Sequence, residues 1–445
     1  MALAFYSFVL WWLTPVYLLR LWWRGRAEPL YRSAVFERLG WYAANSAASL
    51  RSNQPGAVWV HAVSLGETLA AAALIEALRL QRPGMRLLLT HSTATGFAAG
   101  TSLLKPGDCQ TWLPFDTVQA TGRFFDHFKP SIGILMETEI WPNLLNAAAV
   151  RQLPMVLANA RLSEKSLRKS QGLMKSVLVP AVQSLSCVLA QTQADALRLR
   201  AAGALDVRVC GNLKFDVTPS ATLLAQGAAW RAELRRPVLL AAVTREGEEA
   251  ALLSAWKSQV SALPEKPLLL IVPRHPQRFD EVAALVESHG WRGVRRSSWP
   301  DAPRADDSSA DVWLGDSMGE MPLYYALAQV ALLGGSFAPL GGQNLIEAAA
   351  CGCPVVMGPH TFNFAQAADM ATAAGAAIRV TDMNAGVQAA LALIRSPQRN
   401  EAVRSAVEFA SAHRGAAGRM AQQIWALTVQ EASGPSISAS VDAST

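Results

Sequence analysis

Carboxylates placed directly after apolar segments are the residues of this sequence best suited to acid–base chemistry. Glu67 follows the apolar run Val58–Val63 and the short turn Ser64-Leu65-Gly66, in which Gly66 would let the chain turn tightly. Glu67 then falls in the first turn of a predicted helix, where the helix dipole stabilises a carboxylate by roughly 0.3–1 kcal/mol. We therefore expect Glu67 to be ionised at neutral pH and able to accept a proton. Many first-turn glutamates only support the helix, so this position alone does not establish a catalytic role.

Other polar clusters follow the next apolar runs of the first half. Ile132–Met136 leads into Glu137-Thr138-Glu139-Ile140-Trp141-Pro142-Asn143, in which two carboxylates, an aromatic ring and an amide would suit a sugar. Further along, Arg161 and Lys214 also follow apolar runs. Ligands of open parallel sheets bind at the carboxyl ends of the strands. The pattern thus predicts a shared site at one sheet edge, although Glu139 could equally cap a helix or form an ion pair.

Basic and glycine-rich segments in the second half are suited to binding a nucleotide. Arg274 follows an apolar run, and a guanidinium there can bind a phosphate or a carboxylate. Gly334-Gly335-Ser336 and Gly341-Gly342 precede a predicted helix that contains Glu347, and turns of this kind present free N–H groups to phosphate oxygens. Glu347 could accept hydrogen bonds from ribose hydroxyls, and the backbone around Gly319 could approach a flat base. Ordinary turns would give the same glycine pattern, so both interpretations stay open.

Composition and missing motifs exclude several classes of protein. The sequence has neither G-x-G-x-x-G after its first strand nor G-x-x-x-x-G-K-[ST], which disfavours dinucleotide-dependent oxidoreductases and P-loop kinases. The net charge of +6 over 445 residues is modest, whereas nucleic-acid-binding proteins usually gather a strong basic patch. The five cysteines show no zinc-ligand spacing and are expected to be buried free thiols.

Short apolar runs that alternate with Ala- and Leu-rich helical patterns must position these side chains. The predicted strands of the first half are Val58–Val63, Arg86–Thr90, Ile132–Met136, Pro154–Ala158, Cys187–Ala190 and Val207–Cys210. Those of the second half are Val238–Val243, Leu268–Val272, Val312–Gly315, Val330–Leu333 and Pro354–Met357. Strands joined through helices form parallel sheets with right-handed crossovers. The pattern pauses at Asp216–Arg236, interpreted as a linker, and so predicts two Rossmann-like domains.

The N-terminal segment is long and apolar enough to bind a membrane. Ala2–Leu19 is almost wholly apolar, includes tryptophans and is followed by Arg20, Arg24 and Arg26. About 18 apolar residues just meet the requirement for spanning a bilayer, and tryptophans also suit a helix that lies in the membrane surface. A buried core helix is the third alternative. The arginines place the remainder of the chain in the cytoplasm by the positive-inside rule and favour contact with anionic lipids.

Seven ordered motifs make the sequence resemble the 3-deoxy-D-manno-octulosonic acid (Kdo) transferases of lipopolysaccharide assembly. The resemblance extends from the apolar N-terminus to about residue 425. The motifs are His61–Thr68, Met136–Asn143, Ala158–Ser163, Gly211–Asp216, Val272–Pro276, Gly315–Glu320 and Met357–Phe364. One departure is that the family often has His and Pro where this sequence has Gln343 and Leu345.

This resemblance implies a fold and an activity. The fold would be GT-B, an α/β arrangement of two Rossmann-like domains facing across a cleft, preceded by an N-terminal membrane-anchor helix. The activity would be transfer of Kdo from CMP-Kdo to the lipid A precursor, lipid IVA, without a cofactor and without a metal in the transfer site. We expect a single displacement with inversion, because no residue is required as a covalent nucleophile.

The resemblance also implies roles for individual residues. Glu67 corresponds to the general base, and Glu137 and Lys214 correspond to residues that support the transition state. Ser64, Gly66 and Arg161 are expected to contact the acceptor. The expected CMP-Kdo-binding residues are Pro273, Arg274, Met318, Gly319, Glu320, Asn344, Leu345, Ile346 and Glu347.

We therefore expect four segments in the chain. They are a membrane anchor at 1–27, an acceptor-binding domain at 28–217, a donor-binding domain at 218–430 and a disordered tail at 431–445. The expected location is the cytoplasmic face of a bacterial inner membrane, with CMP-Kdo, the lipid A precursor and anionic lipids as partners and no nucleic acid. A sugar-nucleotide epimerase of the same two-domain shape and a non-catalytic nucleotide-sugar sensor are the alternatives. The number of Kdo residues transferred and the oligomeric state are not indicated by the sequence.

Overall fold

Two parallel β-sheets organise the part of the chain that the structure, a computed structural model, describes. The described residues are 1–43, 56–172, 174–216, 218–261, 263 and 265–430, so the tail expected at 431–445 lies outside them. One compact unit comprises Met1–Asp216 together with Gly415–Thr445, and the other comprises Val217–Arg414. Each unit contains a seven-stranded sheet.

The first unit has a parallel sheet with the order β3-β2-β1-β4-β5-β6-β7. Its strands are β1 (Val58–His61), β2 (Leu87–His91), β3 (Cys109–Trp112), β4 (Ile132–Met136), β5 (Met155–Ala160), β6 (Cys187–Ala190) and β7 (Val207–Val209). Its helices are α1 (Ala2–Arg24), α2 (Leu65–Gln81), α3 (Ala94–Gly100), α4 (Val118–Phe128), α5 (Pro142–Val150), α6 (Glu164–Ser170), α7 (Lys175–Gln183) and α8 (Gln193–Ala201).

The strand order of the first unit decides where a ligand can bind. The central strands are buried along their length, as expected for parallel strands covered by helices on both faces. The order reverses between β1 and β4, which are direct neighbours with Val58 paired to Ile132. Loops that leave neighbouring strands in opposite directions open a crevice at such a switch point. Glu137 lies in the loop after β4, and Glu67 lies in the first turn of α2, which follows β1.

The second unit repeats the architecture with the order β10-β11-β9-β8-β12-β13-β14. Its strands are β8 (Val238–Thr244), β9 (Leu268–Pro273), β10 (Gly293–Arg295), β11 (Val312–Leu314), β12 (Val330–Leu333), β13 (Val355–Met357) and β14 (Ala377–Arg379). Its helices are α9 (Ala221–Leu234), α10 (Glu248–Val260), α11 (Phe279–Ser288), α12 (Met321–Leu327), α13 (Leu345–Ala350), α14 (Ala365–Ala373), α15 (Met383–Arg395) and α16 (Arg399–Ala412). The α/β architecture expected from the sequence is confirmed in both units.

Three strands are missing from the sequence prediction, and all three lie at sheet edges. They are β3, β10 and β14. Each is only three or four residues long and at least partly exposed, with the sequences CQTW, GVR and AIR. An edge strand needs no continuous apolar run, because part of it faces solvent.

The predicted linker at Asp216–Arg236 is wrong, since helix α9 occupies most of it. Gly227 of α9 lies so close to α12 that a Cβ there would be 2.2 Å from the carbonyl oxygen of Leu323. Trp230 is 4% exposed and makes an edge contact with Trp299, with ring centroids 5.6 Å apart. Helix α9 is therefore part of the second unit's packing.

The last described helix, α17 (Ala416–Gln430), returns to the first unit. Met420, Ala421 and Ile424 are fully buried and belong to the core cluster that includes Leu74 and Leu78 of α2. The expected boundary at residue 430 thus differs from the observed division, in which the second unit ends at Arg414.

Helix α1 is the one helix among the described residues that is long and apolar enough to cross a membrane, judged by length and composition. It includes Pro15, and none of its residues is buried. The alternative of a buried core helix is therefore wrong.

Candidate active site

The carboxylate of Glu67 is held at the start of α2, beside the end of β1. Ser64 caps the helix, and its hydroxyl accepts from the amide of Glu67 at 3.5 Å while donating to Glu67 Oε1 at 3.3 Å. The backbone N–H of Val63 donates to Oε2 at 2.8 Å. This is close to a capping box, in which a serine and a glutamate three residues later satisfy each other's free groups. Both carboxylate oxygens of Glu67 are thereby fixed in position.

The electrostatic environment of Glu67 differs from the sequence expectation. Burial raises the pKa of the carboxyl above 4.5, the amide of Val63 opposes this, and the negative charge of Glu137 adds to it. Desolvation disfavours the charged form of a carboxyl group, an effect that the sequence analysis did not include. A carboxylate with a raised pKa binds a proton more strongly, which suits a general base.

Gly66 does not have the conformation expected of it. It is the second residue of α2 rather than part of a tight turn, and it is absent from the residues with positive φ. A Cβ at this position would meet no atom within 4 Å. Gly66 therefore leaves open space beside Glu67, which agrees with its predicted place in an acceptor site.

Glu137 lies directly after β4 in a strained backbone conformation. Its φ is +57°, which is uncommon for a residue with a side chain, and it is only 6% exposed. Its Oε2 accepts from Nε of Arg161 at 2.9 Å. Strain of this kind is often found at functional sites, where the surrounding structure enforces it.

Lys214 reaches the same region through a framework of buried amides. Asn159, whose φ is +53°, accepts from the amide of Leu213 at 3.1 Å, and Asn212 accepts from the amide of Lys214 at 3.0 Å. Burial lowers the pKa of Lys214, while the charge of Glu137 opposes this and the charge of Arg161 adds to it. Lys214 thus lies within electrostatic range of Glu137, as the sequence predicts.

Glu139 is a candidate residue that the sequence analysis did not place among the catalytic residues. Its Oε2 accepts from Nε1 of Trp141 at 2.8 Å. Burial, and then the negative charge of Glu67, raise its pKa to about 7. Its position two residues after Glu137 was the available signal. The first unit therefore brings together three carboxylates (Glu67, Glu137 and Glu139) and two cations (Arg161 and Lys214) near the carboxyl ends of β1 and β4.

The predicted donor residues all lie in the second unit, in three segments of the chain. Pro273 ends β9, and the amide of Arg274 donates to the carbonyl of Thr244 at 2.9 Å. Among the described residues, none forms an ion pair with the guanidinium of Arg274. That side chain is therefore available to an anionic ligand.

The Met318-Gly319-Glu320 segment forms an open turn before α12. Gly319 has a φ of +80° and nothing within 4 Å of a Cβ, and the side chain of Met318 is 63% exposed. Glu320 accepts from Nη2 of Arg296 at 2.9 Å and from the hydroxyl of Ser317 at 2.5 Å. The backbone at Gly319 therefore has open space beside it.

The segment from Asn344 to Glu347 can offer only some of its groups to a ligand. Asn344 caps α13 by accepting from the amide of Ile346 at 3.1 Å. The side chains of Leu345 and Ile346 are each 1% exposed, so a ligand could meet only their backbone. Burial raises the pKa of Glu347.

In the glycine turn after β12, several backbone N–H groups are hydrogen-bonded within the protein, which favours the ordinary turn over the phosphate-binding interpretation. The buried carboxylate of Glu248 accepts from the amides of Gly335 at 2.7 Å, Phe337 at 3.1 Å and Ala338 at 3.3 Å. Those donors are therefore already satisfied within the protein. Gly334-Gly335-Ser336 is a structural turn, held by an acidic residue that the sequence analysis did not single out.

The fold of the chain is shared with enzymes that act on sugar nucleotides. A glycosyltransferase from Rickettsia africae ESF-5 has a TM-score of 0.54 at 10% identity, covering 85% of this chain and 100% of that one. A UDP-N-acetylglucosamine 2-epimerase has a TM-score of 0.52 at 15% identity, covering 86% and 99%. At such identities the likeness shows only the fold, which is GT-B.

Comparison with sequence relatives discriminates between the glycosyltransferase and epimerase activities. A sequence profile for "3-Deoxy-D-manno-octulosonic-acid transferase (kdotransferase)" matches residues 33–217. The chain is 46% identical over 427 residues to the 3-deoxy-D-manno-octulosonic acid transferase of Bordetella pertussis, covering 93% of this chain and 96% of that one. The chain therefore belongs to the 3-deoxy-D-manno-octulosonic acid transferase family, the glycosyltransferases that transfer Kdo in lipopolysaccharide biosynthesis.

Proposed function

We propose that this protein transfers Kdo from CMP-Kdo to the acylated and phosphorylated glucosamine disaccharide lipid IVA, in one inverting step that uses no metal at the transfer site. Family membership supports Kdo as the transferred sugar. The seven motifs described above support CMP-Kdo as donor and the lipid A precursor as acceptor. The apolar helix α1 supports a reaction at the membrane, where such a lipid is found.

The carboxylate of Glu67 is the single observation that carries the proposed chemistry. Its oxygens are fixed by Val63 and Ser64, and its raised pKa favours proton uptake. In the proposed step Glu67 takes the proton of a glucosamine hydroxyl while that oxygen bonds to the anomeric carbon of Kdo. The bond from this carbon to the phosphate oxygen breaks, and CMP leaves with the bonding electrons. The configuration at the anomeric carbon is inverted.

The remaining residues support this step by electrostatics and positioning. Lys214 offsets the negative charge of the donor at the reacting centre, and Arg161 and Glu137 hold each other in place beside it. Arg274 binds the CMP phosphate, which gains charge as the bond breaks, and so stabilises the transition state more than the ground state. Gly319 and Glu320 take the cytidine, and Asn344 and Glu347 contact the ribose and phosphate.

Replacing Glu67 by Gln tests the proposal. The variant keeps the shape of the side chain and loses the base, so the rate of transfer from CMP-Kdo to lipid IVA should fall by roughly 10²–10⁴-fold. The affinity for CMP-Kdo should stay within about twofold, because the donor residues are in the second unit. Transfer is measured by mass spectrometry of the lipid product, and donor binding by calorimetry.

Glu76→Gln is the matched control, because Glu76 is on the same helix and its side chain is 57% exposed. Its rate should equal that of the wild type. A Glu67→Gln variant that keeps more than about a tenth of the wild-type rate would rule out the role of Glu67 as base. A wild-type protein that binds CMP-Kdo and yields no Kdo-bearing lipid would rule out the proposed function itself, as an epimerase or a sensor predicts.

A further inference from the structure

A cavity in the first unit lies between helix α1 and the loops that follow β2 and β3. Its volume is about 330 Å³. One part of its wall is apolar and includes Leu10, Leu21 and Phe115, and the other contains the guanidinium groups of Arg20, Arg24 and Arg38. A space with hydrocarbon on one side and fixed positive charge on the other matches an acyl chain joined to an anionic group.

On the arginine side of the cavity, Arg24 forms a partly exposed ion pair with Glu28 at 3.7 Å, but the buried Arg38 has no such partner among the described residues. Arg38 is 4% exposed, its Nε has no hydrogen-bond partner, and among the described residues no carboxylate forms an ion pair with it. Its guanidinium lies 4.1 Å from the ring of Trp112, and that of Arg24 lies 4.4 Å from the ring of Tyr31. These two rings stack on each other, which places the two cations in one cluster. A buried cation without a counterion is costly, and a bound phosphate would remove that cost.

The one carboxylate that lines the cavity is already used. Asp116 accepts from the hydroxyl of Tyr6 at 2.9 Å and from the amides of Asn143 at 3.1 Å and Leu144 at 2.7 Å. Burial raises the pKa of Asp116, while the hydrogen bonds from Asn143, Leu144 and Tyr6 oppose this. The charge that faces the cavity is therefore positive.

Helix α1 lies along the first unit rather than extending away from it. Tyr6 contacts Asp116 near the start of the helix, Ser7 donates to Asn143 at 2.8 Å, and Arg24 covers Tyr31 at its end. At 1.5 Å per residue, Tyr6 and Arg24 are roughly 27 Å apart, about the thickness of the hydrocarbon core of a bilayer. A helix that crossed the membrane could not touch a cytoplasmic domain at both ends. Its outward face carries exposed apolar side chains, among them Phe8, Trp12 and Leu19.

The far rim of the cavity leads to the carboxylates of the candidate site. Thr93 lines the cavity and donates to the carbonyl of Val63 at 2.8 Å, while the amide of Val63 holds Glu67. Trp141 also lines the cavity and donates to Glu139. A lipid seated here would have its sugar beside the proposed base.

From these contacts we propose that α1 lies in the plane of the membrane surface and forms one wall of the acceptor site. The cavity takes a phosphate of the acylated acceptor between Arg24 and Arg38, and an acyl chain along the side formed by Leu10, Thr14 and Leu21. This inference rests on the proposed function and adds the place where the lipid end binds. The helix is then part of the substrate site and not only a tether.

Removing the charge of Arg24 tests the phosphate contact. In detergent micelles, which remove the contribution of an anionic bilayer, Arg24→Gln should raise the KM for lipid IVA by about tenfold or more. The maximal rate and the KM for CMP-Kdo should not change. Arg26→Gln is the matched control, because Arg26 is exposed, belongs to the same basic segment and is absent from the cavity wall. With an acceptor from which the phosphates have been removed, wild type and Arg24→Gln should have equal KM values.

Filling the apolar part of the cavity with a larger side chain tests the proposed contact with an acyl chain. Thr14→Trp should raise the KM for lipid IVA, whereas Val16→Trp, at a position 61% exposed on the outward face, should not. Equal KM values for Arg24→Gln and Arg26→Gln would overturn the proposal. So would an Arg24→Gln variant whose KM rises as much with the dephosphorylated acceptor as with lipid IVA. Equal effects of the two tryptophans would also overturn it. All these outcomes leave the wild-type transfer intact, so they are distinct from failure of the proposed function.

Discussion

At the scale of single residues, burial raises the pKa of Glu67 and lowers that of Lys214. The pattern of polar residues after apolar runs predicts a shared site, and Glu67 and Lys214 each lie within electrostatic range of Glu137 and Arg161. The position of Glu67 at the start of a helix does not reveal this effect of burial. Burial depends on side chains that are distant in the chain, and a sequence pattern does not show it.

The raised pKa of Glu139 predicts how the stability of the folded protein depends on pH. Its carboxyl titrates near 4.5 in an unfolded chain and at about 7 in the folded protein. Between these values the folded state binds the proton more tightly, so the stabilisation is complete below pH 4.5 and is lost as the pH rises to 7. Glu139→Gln removes this dependence. The melting temperature of the variant relative to the wild type should therefore be higher at pH 8 than at pH 5.

Glu164→Gln is the control for this measurement, because Glu164 is 77% exposed at the start of α6. Its melting temperature relative to the wild type should be the same at both pH values. Melting curves of Glu139→Gln that follow the wild type in parallel from pH 5 to pH 8 would contradict the raised pKa.

At the scale of elements, the central strands and the edge strand β7 were predictable, whereas the edge strands β3, β10 and β14 were not. Continuous apolar runs marked β1, β4 and β8 because these strands are covered on both faces. Strands β3, β10 and β14 lack such runs. Helix α9 was missed because its apolar residues do not form a regular stripe. The sequence left the glycine turn after β12 open between phosphate binding and an ordinary turn, since it does not reveal that Glu248 accepts from the amides of this turn.

Glu248 should be important for the stability of the second unit. Its two oxygens accept four backbone hydrogen bonds, from Arg245, Gly335, Phe337 and Ala338. A glutamine keeps only one of these oxygens, so Glu248→Gln should lower the free energy of unfolding by roughly 1–3 kcal/mol. Urea denaturation measures this. Glu246→Gln, at an exposed neighbour, should change it by less than about 0.5 kcal/mol. Equal unfolding midpoints for the two variants would show that the hydrogen bonds accepted by Glu248 are unimportant for stability.

At the scale of the whole molecule, the sequence predicts two α/β halves but assigns the final helix to the wrong one. Helix α17 follows the second sheet in the chain, and proximity in sequence favoured packing there. Its buried face instead completes the core under α2, and Asp216 accepts from the amides of Gly415 and Ala417 at its start. Only long-range contacts could reveal this, and they are not encoded in a local pattern.

Shortening Ile424 tests the packing of α17. Ile424→Ala leaves a cavity in the first unit and should cost about 2–5 kcal/mol. Hydrogen exchange should accelerate in α2 and β1 and stay unchanged in the strands of the second unit. Gln422→Ala, at an exposed position of the same helix, should affect neither unit. Faster exchange in β8 or β12 instead would place α17 with the second unit.

The return of α17 to the first unit also determines the order in which the two units can fold during synthesis on the ribosome. The second unit is continuous in the chain and can fold as soon as Arg414 has emerged. The first unit, although translated earlier, lacks one side of its hydrophobic core until Ile424 leaves the exit tunnel. During most of its synthesis the nascent protein therefore exposes Leu74 and Leu78 beside the growing chain, and chaperones would meet this surface first.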